Sequence, residues 1–113
     1  MYFQVKLFIW IFLVLLFAGG CSEKPKDQPT IGFLIHALDR ERWENDRDFF
    51  VSKVEELGGS VQVEIADNDA AKQLAQAKEM LTNGVDVLVD VPVDQFAAAE
   101  IENEAHAKNV KVI

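Results

Sequence analysis

The sequence is short of the residues that build disulfides, metal sites and basic surfaces. Its 113 residues include one cysteine and two histidines, so no internal disulfide can form and no cysteine–histidine metal spacing occurs. Basic residues are in the minority, with 11 Lys and Arg against 19 Asp and Glu and a net charge of −8. This balance argues against nucleic acid or anionic lipid as a partner of the soluble part, because both select basic surfaces.

Cofactor-binding motifs are absent as well. No G-x-G-x-x-G follows the first strand-like run, and no G-x-x-x-x-G-K-[ST] occurs in the chain. Gly32 lies inside that run and not in a turn that could cradle a phosphate. The sequence therefore predicts a protein that is not an enzyme and uses neither a cofactor nor a metal.

The first 21 residues have the pattern of an export signal. Lys6 precedes the apolar run Leu7–Phe17, and the small residues Ala18, Gly19 and Gly20 follow it. A retained membrane helix is the alternative, but a span needs about 20 apolar residues, and Gln4 and Lys6 leave this run short of that. We therefore expect secretion.

Cys21, directly after the small residues, resembles the acylated cysteine of bacterial lipoproteins. It departs from that signal at Ala18, where a large aliphatic residue is usual. A plain signal that leaves a free thiol is the alternative. Residues 22–29 are polar, include Pro25 and Pro29, and predict a flexible tether. The expected location is the periplasm or the outer face of the cytoplasmic membrane, with a lipid anchor on Cys21.

From residue 30 onward, strand and helix patterns alternate. Apolar or alternating runs predict strands, and helix-spaced apolar residues predict helices between them. The apolar face of the first helix is expected to consist of Trp43, Phe50, Val54 and Leu57. The predicted strands are 31–35, 61–65, 85–91 and 110–113, and the predicted helices are about 42–57, 69–83 and 94–109.

This alternation predicts an α/β fold built from right-handed parallel βαβ units. The expected sheet is open, with strand order 2-1-3-4 and helices on both faces. The last strand starts at Val110 and stops at Ile113, and no helix follows to cover its apolar edge. We interpret residues 30–113 as one lobe of a longer protein, truncated in strand 4.

The expected site lies beyond the carboxyl ends of strands 1 and 3, where the strand order reverses. The loop after strand 1 leads into Arg42, whose five donors could grip a sugar ring and its hydroxyls. Trp43 offers an apolar face against which a sugar could lie. The alternative is an exposed loop arginine and a tryptophan that packs the helix onto the sheet.

Other polar residues near these two loops are weaker candidates. Glu41 and Asp39 could accept hydroxyl protons or be solvated, and His36 could line the cleft, be solvated or bond the backbone. Asp90 would be costly to bury in an apolar strand without a partner, so it contacts a ligand or helix N-terminus, lies at an exposed end, or is an oddity. Asp94 is expected to cap the third helix.

The segment Glu41-Arg42-Trp43, followed by Asp46–Val51, resembles the ligand loop and first helix of xylose-binding proteins of ABC-type sugar importers. Residues 56–59, 84–89 and Pro92 match the wider periplasmic sugar-binding family. In that family two such lobes close on one sugar. The resemblance implies that Arg42 bonds the sugar and that Trp43 stacks on it. At Asp90 the sequence departs from the family, which usually has an apolar residue there.

Two functions follow from this resemblance. The first is a binding lipoprotein that delivers a monosaccharide, a pentose such as D-xylose, to an ABC permease. The second is a sensory subunit whose sugar-bound form signals to a membrane histidine kinase. A DNA-binding sugar repressor of the same superfamily is disfavoured by the export signal and by the lack of an N-terminal helix-turn-helix.

Overall fold

A computed structural model describes residues 28–113, so the predicted signal, Cys21 and all but the last two residues of the predicted tether lie outside the described residues. The described elements, in chain order, are β1 (Thr30–Ile35), α1 (Glu41–Glu56), β2 (Ser60–Ile65), α2 (Ala70–Thr82), β3 (Val87–Val91), α3 (Gln95–Ala107) and β4 (Lys111–Val112). None of the helices within residues 28–113 has the length and hydropathy needed to cross a membrane.

The four strands form one parallel sheet in the order β2-β1-β3-β4. The predicted fold class and strand order are thus confirmed. Helices cover both faces of this sheet. Phe33 of β1 contacts Phe50 of α1, with ring centroids 4.7 Å apart, while Leu34 packs with residues of α2 and α3 on the opposite face.

The main core lies between the sheet and the helices α2 and α3. Spacings of three and four residues place apolar side chains of each helix on one face, which is buried against β1 and β3. Gly32 permits close approach here, because a Cβ at this position would lie 2.7 Å from Leu88 Cδ2 and 2.8 Å from Met80 Sδ. The buried members are Leu34, Ala77, Met80, Leu81, Val85, Leu88, Ile101 and Ala105.

Capping residues set the ends of the helices. Asp69 accepts a hydrogen bond from the Lys72 amide, and Asp94 accepts from the Phe96 and Ala97 amides, so both begin their helices as predicted. Gly58 and Gly84 adopt φ values of +91° and +83° just past α1 and α2. Such left-handed conformations cost glycine little and terminate a helix.

The first helix differs from its predicted packing. None of its residues is fully buried, and Trp43, Phe50 and Val54 are only half-buried. Leu57 was expected on the packed face, but α1 ends at Glu56 and Leu57 forms its C-cap, with 76% of the residue exposed. Helical spacing no longer determines where a side chain points once the helix has ended.

Candidate ligand-binding site

The carboxyl ends of β1, β2 and β3 lie at the same edge of the sheet. Ile35, the last residue of β1, pairs with Ile65 of β2 and Val91 of β3. The loop after β1 and the loop after β3 are therefore adjacent, although two helices and two strands separate them in sequence. Ligands of open α/β sheets bind at such a switch in strand order.

The first turn of α1 brings Trp43 to this edge. The Trp43 amide donates a 2.9 Å hydrogen bond to the Arg40 carbonyl at the helix start. Its ring meets the His36 ring edge-on, with centroids 4.8 Å apart and an interplanar angle of 86°. Trp43 is half-buried, so it packs in part against the loop after β1 and remains in part exposed.

Arg42 lies beside Trp43 with an exposed side chain. Its guanidinium carbon is 5.3 Å from the centroid of the Trp43 ring, a cation–π distance. Its Nε donates to Asp46 Oδ2 at 3.3 Å, one helical turn further on. That bond engages only Nε, which leaves the two terminal nitrogens of the guanidinium for a ligand.

Asp90 lies in β3, on the face of the sheet opposite the one that α1 covers. It pairs with Leu34 in the register between β1 and β3, so its side chain belongs to the face covered by α2 and α3. Its Oδ1 is buried and has no hydrogen-bond partner among residues 28–113. Burial raises the pKa of the carboxyl group to about 6. The structure does not bring Asp90 into contact with Arg42 or Trp43, which lie on α1, and its role in the site stays a prediction.

The remaining predicted residues have clear positions. Glu41 is the first residue of α1 and is exposed. Its negative charge interacts favourably with the positive N-terminal end of the helix dipole. Asp39 is exposed in the loop before α1, and Asp94 acts as the N-cap of α3. His36 Nδ1 is buried and unpartnered among the described residues. Within residues 28–113 no three His, Cys, Asp or Glu side chains are placed to hold a metal ion.

Two glutamines of α2 that were not predicted from the sequence contact this edge. Gln73 is fully buried and bonds the backbone on both sides of Pro92, and Gln76 donates to the Ile65 carbonyl at the end of β2. The sequence did contain one signal for Gln73. It precedes Ala77 and Met80 by four and seven residues, and this helical spacing places all three on the buried face. Spacing marks the position as buried but does not identify its partners.

Residues 31–113 match the family described as periplasmic binding protein domain. The D-xylose-binding periplasmic proteins of Escherichia coli and Haemophilus influenzae are 40% and 37% identical to the chain over 83 residues, 74% of this chain and 25% of each relative. The chain thus spans about a quarter of the length of these relatives. A carbohydrate transporter solute-binding protein from Chloroflexus aurantiacus, in complex with D-glucose, superposes with a TM-score of 0.69 at 28% identity, covering 75% of this chain and 25% of that one.

Proposed function

The chain belongs to the periplasmic binding protein domain family, and we propose that it forms the N-terminal lobe of a two-lobe protein that binds a monosaccharide outside the cytoplasmic membrane. D-Xylose is the first candidate. The observation that carries this proposal is the placement of Arg42 and Trp43 together, in the first turn of α1, at the edge where the strand order reverses.

These two side chains suit a neutral polyol. The free terminal nitrogens of Arg42 can donate to a ring oxygen and to hydroxyl oxygens, and hydrogen bonds from a charged donor are stronger than neutral ones. The open part of the Trp43 ring can cover the C–H face of the sugar. Glu41 and Asp90 are proposed as acceptors for hydroxyl protons. For Asp90 the support is its Oδ1, which has no partner within residues 28–113.

Binding in this proposal involves no chemical conversion. A second lobe closes over the sugar and excludes water, which strengthens the hydrogen bonds that Arg42 makes. The closed protein then delivers the sugar to an ABC-type importer. The choice of D-xylose is supported by two relatives of that name, while the glucose-bound neighbour shows that the same fold accommodates other sugars in other proteins.

Calorimetric titration of the two-lobe protein with D-xylose, D-ribose and D-glucose tests this function. We expect D-xylose to bind at micromolar concentration or below and at least about tenfold more tightly than D-glucose. D-Glucose carries an additional hydroxymethyl group that a pentose-sized cleft would exclude, and tenfold corresponds to about 1.4 kcal/mol. Tighter binding of D-glucose would overturn the pentose assignment, and no binding of any of these sugars would contradict the function.

We also propose that Cys21 is acylated and anchors the lobe through the tether of residues 22–29. Two acyl chains suffice for stable attachment to a membrane, whereas one gives only reversible binding. Mass spectrometry of protein from its native membrane should show a mature N-terminus at a lipid-bearing Cys21, and Cys21→Ser should release the protein from the membrane fraction. A mature start at another residue, with a free Cys21 thiol, would contradict the anchor.

A further inference from the structure

Gln73 closes a gap in the backbone hydrogen bonds at the end of β3. Pro92 lacks an N–H and cannot continue the strand ladder. The Val91 carbonyl before it and the Val93 amide after it are both bonded by the Gln73 side chain. Gln73 Nε2 donates to the Val91 carbonyl at 3.0 Å, and the Val93 amide donates to Gln73 Oε1 at 2.9 Å.

We infer that Gln73 is a positioning residue for sugar binding, which fixes the loop after β3 in the shape that the ligand meets. This inference rests on the proposed function. The primary amide places an N–H donor beside a carbonyl acceptor, as a neighbouring strand would, and Gln73 uses one of its two N–H groups and its oxygen in these bonds. Gln73 is fully buried, and its two bonds satisfy part-buried backbone groups that lose their protein partner if the side chain is removed. A single side chain on α2 therefore holds the loop at the ligand edge without touching the ligand.

The position of this loop affects binding through the population of competent conformers. A loop that samples several shapes weakens the apparent affinity by the fraction of time it spends in the binding shape. Such an effect slows association more than it speeds dissociation. A residue that merely contributes to stability would lower the melting temperature and leave the association rate unchanged well below that temperature.

The test compares Gln73→Met with Gln76→Met in the two-lobe protein. Both variants replace a glutamine of α2 with an apolar side chain of similar length, but Gln76 bonds the Ile65 carbonyl at the end of β2, at 2.9 Å, and makes no bond to the loop after β3. Stopped-flow measurements with D-xylose should show association about tenfold slower for Gln73→Met and close to wild type for Gln76→Met. Hydrogen exchange at the Val93 amide should accelerate only in Gln73→Met.

Gln73→Glu supplies a rescue experiment if Gln73→Met folds poorly. An ionised carboxylate accepts from the Val93 amide but cannot donate to the Val91 carbonyl, whereas a protonated carboxyl group can do both. Burial keeps such a carboxyl group protonated near pH 5. We therefore expect the ratio of the Gln73→Glu association rate to the wild-type rate to rise at least about threefold from pH 8 to pH 5.

The outcomes separate this inference from the proposed function. Wild-type association rates in Gln73→Met, with only the melting temperature lowered, would overturn the positioning role. A wild-type protein that binds none of the sugars would refute the proposed function. In that case unchanged Val93 exchange in Gln73→Met would independently overturn the inference.

Discussion

Replacing Arg42 with alanine should weaken D-xylose binding by the two-lobe protein about tenfold to a hundredfold. In the proposed function Arg42 supplies donors to sugar hydroxyls in a water-excluded cleft, and the loss of such donors costs on the order of 1–3 kcal/mol. The ligand-free melting temperature should remain nearly unchanged. Arg42 is exposed, and its ion pair with Asp46 lies on the surface, where such pairs contribute little.

Three further variants control for charge, position and packing. Arg42→Lys keeps the charge but loses the planar fork, so it should recover only part of the affinity. Arg47→Ala removes an arginine from the same helix, one whose Nε is bonded to Asp48 at 2.8 Å, and should leave affinity unchanged. Trp43→Ala should lower both affinity and melting temperature, because the ring also packs on His36.

The ratio of the two effects decides the role of Arg42. Strong loss of affinity at constant melting temperature supports a ligand contact. A lowered melting temperature with unchanged affinity would make Arg42 a structural residue, and the assignment of this site would fail although the fold would stand.

The sequence predicted the fold well because each local signal agreed with the next. The alternation of Val61, Val63 and Ile65 with polar residues indicated a half-buried strand. Asp69 and Asp94 each precede a segment with helix-spaced apolar residues, which is typical of N-cap positions. Strand 3 was predicted from Val85 because its apolar run is continuous. In the structure Val85 bonds back to the Met80 carbonyl of α2, so the strand begins later, at Val87. The apolar run does not reveal that the Val85 amide bonds the Met80 carbonyl, so the sequence could not predict the later start of the strand.

The candidate site was predictable only in part. Strand order placed the loops after β1 and β3 side by side, which follows from topology alone. The spacing of Arg42 and Asp46 is that of an ion pair on a helix, so this contact was also within reach of the sequence. The contacts of Gln73 with the loop after β3 were not, because they join residues 18 and 20 positions apart that only the packed structure brings together.

Replacing Asp90 with valine should stabilise the ligand-free protein above about pH 6. Burial raises the pKa of this carboxyl group from 3.8 to about 6, so the folded state holds its proton more tightly than the unfolded state does. Ionisation of Asp90 therefore costs the folded protein no stability below pH 3.8, where the carboxyl group is protonated in both states. The free energy of unfolding falls as the pH rises from 3.8 through about 6, and at higher pH the loss is complete. A shift of about 2 units corresponds to about 3 kcal/mol, which partial exposure of the side chain reduces to roughly 1–2 kcal/mol.

Urea unfolding between pH 4 and pH 8 measures this difference. The free energies of unfolding of wild type and Asp90→Val should diverge as the pH rises, with wild type the less stable. Asp90→Asn should show the same pH dependence as Asp90→Val, because it also removes the charge. The difference between the two variants reports the cost of burying an amide instead of an apolar side chain at this position. A wild-type curve parallel to both variants would show that Asp90 ionises as freely in the folded state as in the unfolded state.

The same variant tests whether Asp90 serves the ligand. We expect Asp90→Val to weaken D-xylose binding about tenfold while it stabilises the ligand-free protein, since removing an acceptor for a buried hydroxyl costs about 1–3 kcal/mol. Opposite effects on stability and affinity are typical of a polar group held in an apolar setting for function. Calorimetry of Asp90→Val at pH 7.5 against wild type decides the question. Stabilisation with unchanged affinity would remove Asp90 from the site and leave Arg42 and Trp43 as the principal contacts of this lobe.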